Sequence, residues 1–269
     1  MQIIVAKNIG FCFGVEEAVK KTERLLKKGY KIFTDDDIVH NKIVMDKLKR
    51  LGLLLDRTGE IFLVRAHGLP KEKIKQISEN FKIEDLTCKI VYNLFKKAEE
   101  LENKGYKIIV FGKPEHPEMI ALRSYAKNSI ITLEPFSIEA DKIAILSQTT
   151  MSEDEFRNFA EKILENSKYK EYLIEDTICN ITILREKEAK EIAKQVDILY
   201  VVGGKHSSNT KKLARIASEF TVVMHIESEE EIDRIPKNVE KIGVVSGTST
   251  PVEVVNKVVS RIKKLGGIQ

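Results

Sequence analysis

Apolar residues recur three and four positions apart in several stretches of the chain, and each stretch gives way to a short run rich in β-branched residues. Val15, Ala18, Val19 and Leu25 make one such stripe, and Val91, Leu94, Phe95, Ala98 and Leu101 make another. That spacing predicts amphipathic helices. Gly29 and Gly105 close them at the same offset and read as helix C-caps. The runs that follow, Tyr30-Lys31-Ile32-Phe33, Tyr106-Lys107-Ile108-Ile109-Val110 and Ile198-Leu199-Tyr200-Val201-Val202, predict strands.

The pattern is a threefold repeat. With Cys12, Cys88 and Cys179 set in line, the segments FGVEEAVKKTERLLKKGYKIF, KIVYNLFKKAEELENKGYKII and NITILREKEAKEIAKQVDILY align without a gap. Further on, His40, His116 and Ser207 stand at one common distance from their cysteines, each at the start of a second helical pattern. A second strand then ends in a polar cluster: Arg65-Ala66-His67-Gly68, Ser147-Gln148-Thr149-Thr150, and Ser246-Gly247-Thr248-Ser249-Thr250. A further helix follows, and a last segment leads into the next cysteine. The third copy lacks that segment, which the N-terminal Ile3-Ile4-Val5 can supply.

Alternating strands and helices of this length predict an α/β fold with mainly parallel sheets and right-handed crossovers. The repeat divides it into three pseudo-threefold-related lobes, a trefoil: 13–88, 89–179, and 180–269 with 1–12. Ligands of such sheets bind at the carboxyl ends of strands, where every polar cluster named above falls. Three equivalent lobes would bring the three cysteines towards one axis and a shared central metal site.

Composition narrows the chemistry. The 269 residues include 45 basic and 41 acidic side chains, interspersed, for a formal charge of +4. No basic tail or arginine-rich run suggests nucleic acid. No apolar run approaches the ~20 residues of a membrane helix. Three cysteines without a signal peptide argue against a disulfide framework. The expectation is a soluble cytoplasmic protein. Taken singly, a free cysteine usually packs in a core; three at one repeat position point to a common ligand role. Three thiolates suit zinc with a fourth ligand or water, or a 4Fe–4S cluster with one iron lacking a cysteine. Their spacing leaves both open.

The rim residues His40, His67, His116, Thr149, Ser207, Ser208, Asn209 and Ser249 each have an ordinary explanation as caps or structural histidines. As a ring of donors at helix N-termini they make an anion site, with phosphate the natural candidate. Glu118 is the carboxylate in that ring: either a first-turn glutamate complementing the helix dipole or a proton donor.

The ordered motifs GFCFGVEEAV (10–19), IVHN (38–41), AHG (66–68), TC (87–88), HPE (116–118), SQTT (147–150), DTICN (176–180), VVGGKHSSNT (201–210) and GTSTP (247–251) resemble the 4-hydroxy-3-methylbut-2-enyl diphosphate reductase family over nearly the whole chain. The resemblance implies a 4Fe–4S cluster on Cys12, Cys88 and Cys179. It implies reductive dehydroxylation of that allylic diphosphate to isopentenyl and dimethylallyl diphosphates, with ferredoxin or flavodoxin as donor. His40, His67, Ser207, Asn209 and Ser249 would then face the diphosphate, with His116 and Ser208 alongside. Thr149 and Glu118 would lie near the hydroxyl, Glu118 feeding protons. The chain departs from the family pattern at Lys89 (usually proline), Ala121 (commonly glycine) and Val245-Ser246 (usually Thr-Ala). Two rival readings remain on the residues alone: an aconitase-like iron–sulfur hydro-lyase, and a non-catalytic iron–sulfur or zinc sensor.

Overall fold

The computed structural model describes residues 1–267 and alternates strands and helices throughout. Among the described residues all strand pairings are parallel and fall into three sheets. The fold class expected from the repeat, α/β with three mainly parallel sheets, is the one observed.

By internal packing the chain forms two compact units. The first comprises Met1–Glu16, Val39–Arg50 and the chain from Asn180 onward. Its sheet has β1 (Gln2–Val5), β11 (Lys241–Ser246), β9 (Ile198–Val202) and β10 (Val222–Ile226), in that order. The side chains of its central strands alternate between two cores. Ile198, Tyr200, Val202, Ile242 and Val244 pack on one face against Val254, Val255, Val258 and Ile262 of helix α9 (Val252–Leu265). Leu199, Val201 and Val245 pack on the other against α7 (Asn180–Ala193) and α8 (Ser208–Ala217), through Ala189, Ile192, Ala193, Leu213 and Ala217. Helices on both faces explain why β9 is apolar throughout.

The second unit, Glu17–Ile38 with Leu51–Cys179, holds the other two sheets. One orders β2 (Ile32–Phe33), β3 (Ile61–Val64) and β4 (Lys82–Asp85). The other orders β6 (Ile130–Thr132), β5 (Lys107–Phe111), β7 (Lys142–Ser147) and β8 (Glu171–Ile174). The predicted stripe Val91, Leu94, Phe95, Ala98 and Leu101 on α4 (Lys89–Asn103) is buried against Ile108, Val110, Ala144 and Leu146.

Local signals hold where they were read. Helix α1 (Phe13–Lys27) and α4 both run into a glycine at positive φ, Gly29 at +83° and Gly105 at +85°. Tyr30 and Tyr106 return their N–H groups to Leu25 and Leu101, closing each helix end. Two expectations were incomplete. The first-copy strand shrinks to Ile32–Phe33, with Leu54 supplying only an isolated bridge to Phe33. Strands β6 and β10, which edge their sheets, were not foreseen; β10, Val222-Val223-Met224-His225-Ile226, is half exposed and lacks the continuous apolar run of a central strand.

Candidate active site

The three cysteines occupy matched backbone positions. The N–H of Cys12 donates to Thr248 O at 3.0 Å, that of Cys88 to Ala66 O at 3.0 Å, and that of Cys179 to Thr149 O at 2.9 Å. Each cysteine is thereby pinned to the loop that follows the strand beside it, β11, β3 or β7. Each also precedes a helix: α1, α4 or α7. No disulfide joins them, and each is half-buried. Burial pushes the Cys88 thiol up, opposed by the Ile90 and Val91 N–H groups; charge on Cys179 and Glu118 raises it further. Helix α4 starts at the exposed Lys89 directly after Cys88, its N-cap, just as α1 and α7 start directly after Cys12 and Cys179.

In the second unit His67, His116, Glu118 and Thr149 come together. Helix α5 (Pro117–Leu122) begins on His116, whose Nδ1 accepts the Glu118 N–H at 3.3 Å. Proline at the first helical position suits that start. With Nδ1 an acceptor, a neutral His116 carries its proton on Nε2. The His67 and His116 rings meet edge to face, 5.4 Å between centroids. Glu118 is 0 % exposed. Its Oε1 accepts the Thr149 N–H at 2.8 Å, and its Oε2 accepts the Thr149 hydroxyl at 2.7 Å. Burial raises its carboxyl from 4.5 to about 7, although both Thr149 bonds pull it down. A helix-dipole glutamate on the surface would not be dehydrated in this way, so burial favours the acid–base reading of Glu118.

In the first unit His40, Ser207, Ser208, Asn209 and Ser249 belong to strand-end loops and the N-terminus of α8. Ser207 caps α8, its Oγ accepting the Thr210 N–H at 3.3 Å. Ser208 opens the helix, half-buried. Ser249 donates from Oγ to His40 O at 3.3 Å. A Cβ on Gly204 would stand 2.3 Å from that same carbonyl, so the glycine lets the 38–41 loop reach the start of α8. Asn209 is 3 % exposed, yet neither atom of its amide has a hydrogen-bond partner within the protein. Buried amides are seldom left so. Lys205 is drawn to Glu231 and away from this cluster's hydrogen bonding.

Sequence reasoning missed Arg185, Glu186 and Lys212, all buried and charged. The signal was available: Thr182, Arg185, Glu186, Ala189, Ile192 and Ala193 form one helical stripe, which places two charges on the core face of α7. Among the described residues no three His, Cys, Asp or Glu side chains stand close enough to hold a single metal ion, and no helix is long and apolar enough to cross a membrane.

These features define an α/β protein of the open parallel-sheet class, with its polar groups gathered at the strand ends where such sheets take ligands. Residues 3–263 match the sequence-family model described as LytB protein. Curated relatives named 4-hydroxy-3-methylbut-2-enyl diphosphate reductase include those of Thermotoga maritima, 47% identical over 99% of this chain and 98% of theirs, and of Clostridioides difficile, 35% identical over 98% of this chain and 100% of theirs. A solved structure described as (E)-4-hydroxy-3-methyl-but-2-enyl diphosphate reductase, the terminal enzyme of the non-mevalonate pathway, aligns with TM-score 0.72 at 32% identity, covering 98% of this chain and 100% of that one. The E-1-hydroxy-2-methyl-but-2-enyl-4-diphosphate reductase of Plasmodium falciparum aligns with TM-score 0.87 at 26% identity, over 97% of this chain and 88% of that one. The chain belongs to the LytB family, and is an oxidoreductase.

Proposed function

We propose that this chain reduces 4-hydroxy-3-methylbut-2-enyl diphosphate to isopentenyl and dimethylallyl diphosphates, in three lobes (13–88, 89–179, and 180–269 with 1–12) that share one 4Fe–4S cluster. Two electrons and two protons enter, the allylic C–O bond breaks, a C–H bond forms, and the hydroxyl oxygen leaves as water. Ferredoxin or flavodoxin delivers the electrons. The observation that carries the reading is the dehydrated Glu118–Thr149 pair, in a chain whose relatives bear that reductase name.

The donor set fits the cluster. Cys12, Cys88 and Cys179 share one backbone setting, are not in disulfides, and each stands before a helix, which favours thiolate. Burial holds the Cys88 thiol protonated; coordination to a cation reverses such a shift. Cys12, Cys88 and Cys179 would each hold the cluster through its own thiolate. When bound, the cluster supplies one-electron transfer and an iron without a cysteine, which acts as a Lewis acid.

The chain's own residues do the rest. Asn209 offers its buried Nδ2 as a donor to a phosphate oxygen, which would satisfy an amide otherwise without a partner. His40, Ser208 and Ser249 join it, with Ser207 fixing the helix end. His67 and His116 extend the donor set, His116 through Nε2. Glu118, its carboxyl raised to about 7, is partly protonated at neutral pH; with the Thr149 hydroxyl turned to donate to the departing oxygen, that hydroxyl accepts the Glu118 proton as it gives up its own.

Anaerobic purification, iron and sulfide analysis, and an assay with a chemical reductant test the reading. About four irons per chain and formation of both products are expected. A chain that takes up no iron–sulfur cluster, or that leaves the hydroxylated diphosphate unchanged, would overturn it.

A further inference from the structure

We infer that Arg185 and Glu188, one turn apart on α7, form a clamp that sets the position of Cys12. The inference rests on the proposed role of Cys12 as a cluster ligand, but the clamp itself can be tested without the cluster.

The segment Lys7–Gly10 leads from β1 into Cys12 and runs past α7. Glu188 accepts its N–H groups: Lys7 N at 2.5 Å, Asn8 N at 3.0 Å, and the Asn8 side-chain amide at 3.1 Å. Arg185 takes its carbonyl end, donating from Nη2 to Gly10 O at 2.6 Å. The other arm of the guanidinium donates from Nη1 to Ser246 O at 2.8 Å. Ser246 ends β11, and its Oγ accepts the Gly10 N–H at 3.2 Å. Gly10 is thus held at both its N–H and its C=O, at a φ of +85° that an L side chain rarely adopts. Two residues later the Cys12 N–H meets Thr248 O, two residues beyond Ser246.

The chemistry suits a clamp. Arg185 is 4 % exposed, and a planar guanidinium can bridge two carbonyls from different segments in one fixed geometry, which the single ammonium of lysine cannot. Two other buried charges show that α7 is anchored separately: Glu186 pairs with Lys212 of α8 at 2.9 Å. That ion pair joins α7 to α8 and so serves as the control for mere loss of stability.

The experiment measures alkylation of each cysteine in cluster-free, folded protein, by quantitative peptide mass spectrometry, with Cys88 and Cys179 as internal references. Arg185→Met should speed Cys12 alkylation roughly tenfold, the factor set by one lost hydrogen bond to a charged donor, and leave the references unchanged. Arg185→Lys should fall between Arg185→Met and wild type, and Ser246→Ala should give a smaller rise. Losing a cation lowers the thiolate fraction and would slow the reaction, so acceleration reports loosening and not charge. In reconstituted protein, Arg185→Met should release iron to a chelator faster than the paired Glu186→Leu/Lys212→Met variant. Wild-type Cys12 rates in folded Arg185→Met and Ser246→Ala would overturn the clamp. So would equal acceleration of all three cysteines, or an equal rise at Cys12 in the Glu186→Leu/Lys212→Met control. If wild type takes up no cluster but Cys12 still responds to Arg185, the cluster reading fails and the clamp stands.

Discussion

Glu118 illustrates how far one residue's chemistry depends on what surrounds it. A carboxyl moved from 4.5 to about 7 by burial is half protonated at neutral pH. Glu118→Gln keeps the volume, and its amide can donate to the Thr149 hydroxyl, but it carries no transferable proton. Turnover with a chemical reductant should fall ~10²-fold or more, with iron content and diphosphate inhibition unchanged. Wild-type turnover should decline above pH ~7 as the carboxyl ionises, and the residual rate of Glu118→Gln should lack that limb. Stability provides an independent check. The folded carboxyl binds its proton more tightly than the unfolded one, so between pH 4.5 and about 7 the unfolded state holds fewer protons. Folding stability contributed by this group is complete below 4.5 and is lost as pH rises through about 7, a change of about 3 kcal/mol. Urea unfolding of the cluster-free chain at pH 5 and pH 8 should show that drop in wild type and a smaller one in Glu118→Gln. Parallel curves would contradict it.

At the scale of elements, the N-terminus of α8 carries the anion chemistry, and its neighbours exist to shape it. The helix start combines unpaired N–H groups with the positive end of the dipole. Asn209→Ala removes the buried amide donor. Inorganic diphosphate should then inhibit roughly tenfold less well, while visible absorbance of the cluster stays the same. Gly204→Ala acts from the backbone. Its methyl group would meet His40 O at 2.3 Å, so the 38–41 loop must withdraw, taking with it the carbonyl that holds Ser249. The expected result is weaker diphosphate inhibition together with a lower thermal unfolding temperature, because the displaced contact is backbone. Unaltered inhibition would show that the close approach of this loop does not shape the anion site. Gly204 thus has a steric reason to be glycine, the close approach of His40 O.

Across the whole molecule, the three cysteines share one backbone arrangement, so their replacement should have one outcome. Cys12→Ser, Cys88→Ser and Cys179→Ser should each lose the 4Fe–4S absorbance and nearly all activity. A single variant retaining iron, spectrum and turnover would break the equivalence. The repeat was legible because it is covalent order: helix periodicity, the glycine C-caps and the cysteine offsets all lie within one stretch of chain. From them followed the parallel α/β class, the strand-end clusters, the equivalence of the cysteines and the singling out of Glu118. Other features were hidden because they join residues distant in sequence. Edge strands β6 and β10 carry no periodic signal of their own and are defined by the strand they pair with. The burial that lifts Glu118, the Thr149 bonds that hold it, and the orphaned amide of Asn209 arise only when separate loops close together. Arg185 lies on the buried stripe of α7, but its carbonyl partners, Gly10 and Ser246, are far from it in sequence. Local pattern determined which elements form and which residues stand at their ends. Desolvation and hydrogen bonding between distant segments, which only the tertiary structure supplies, decided which of those residues are buried, in what proton state, and against which partners.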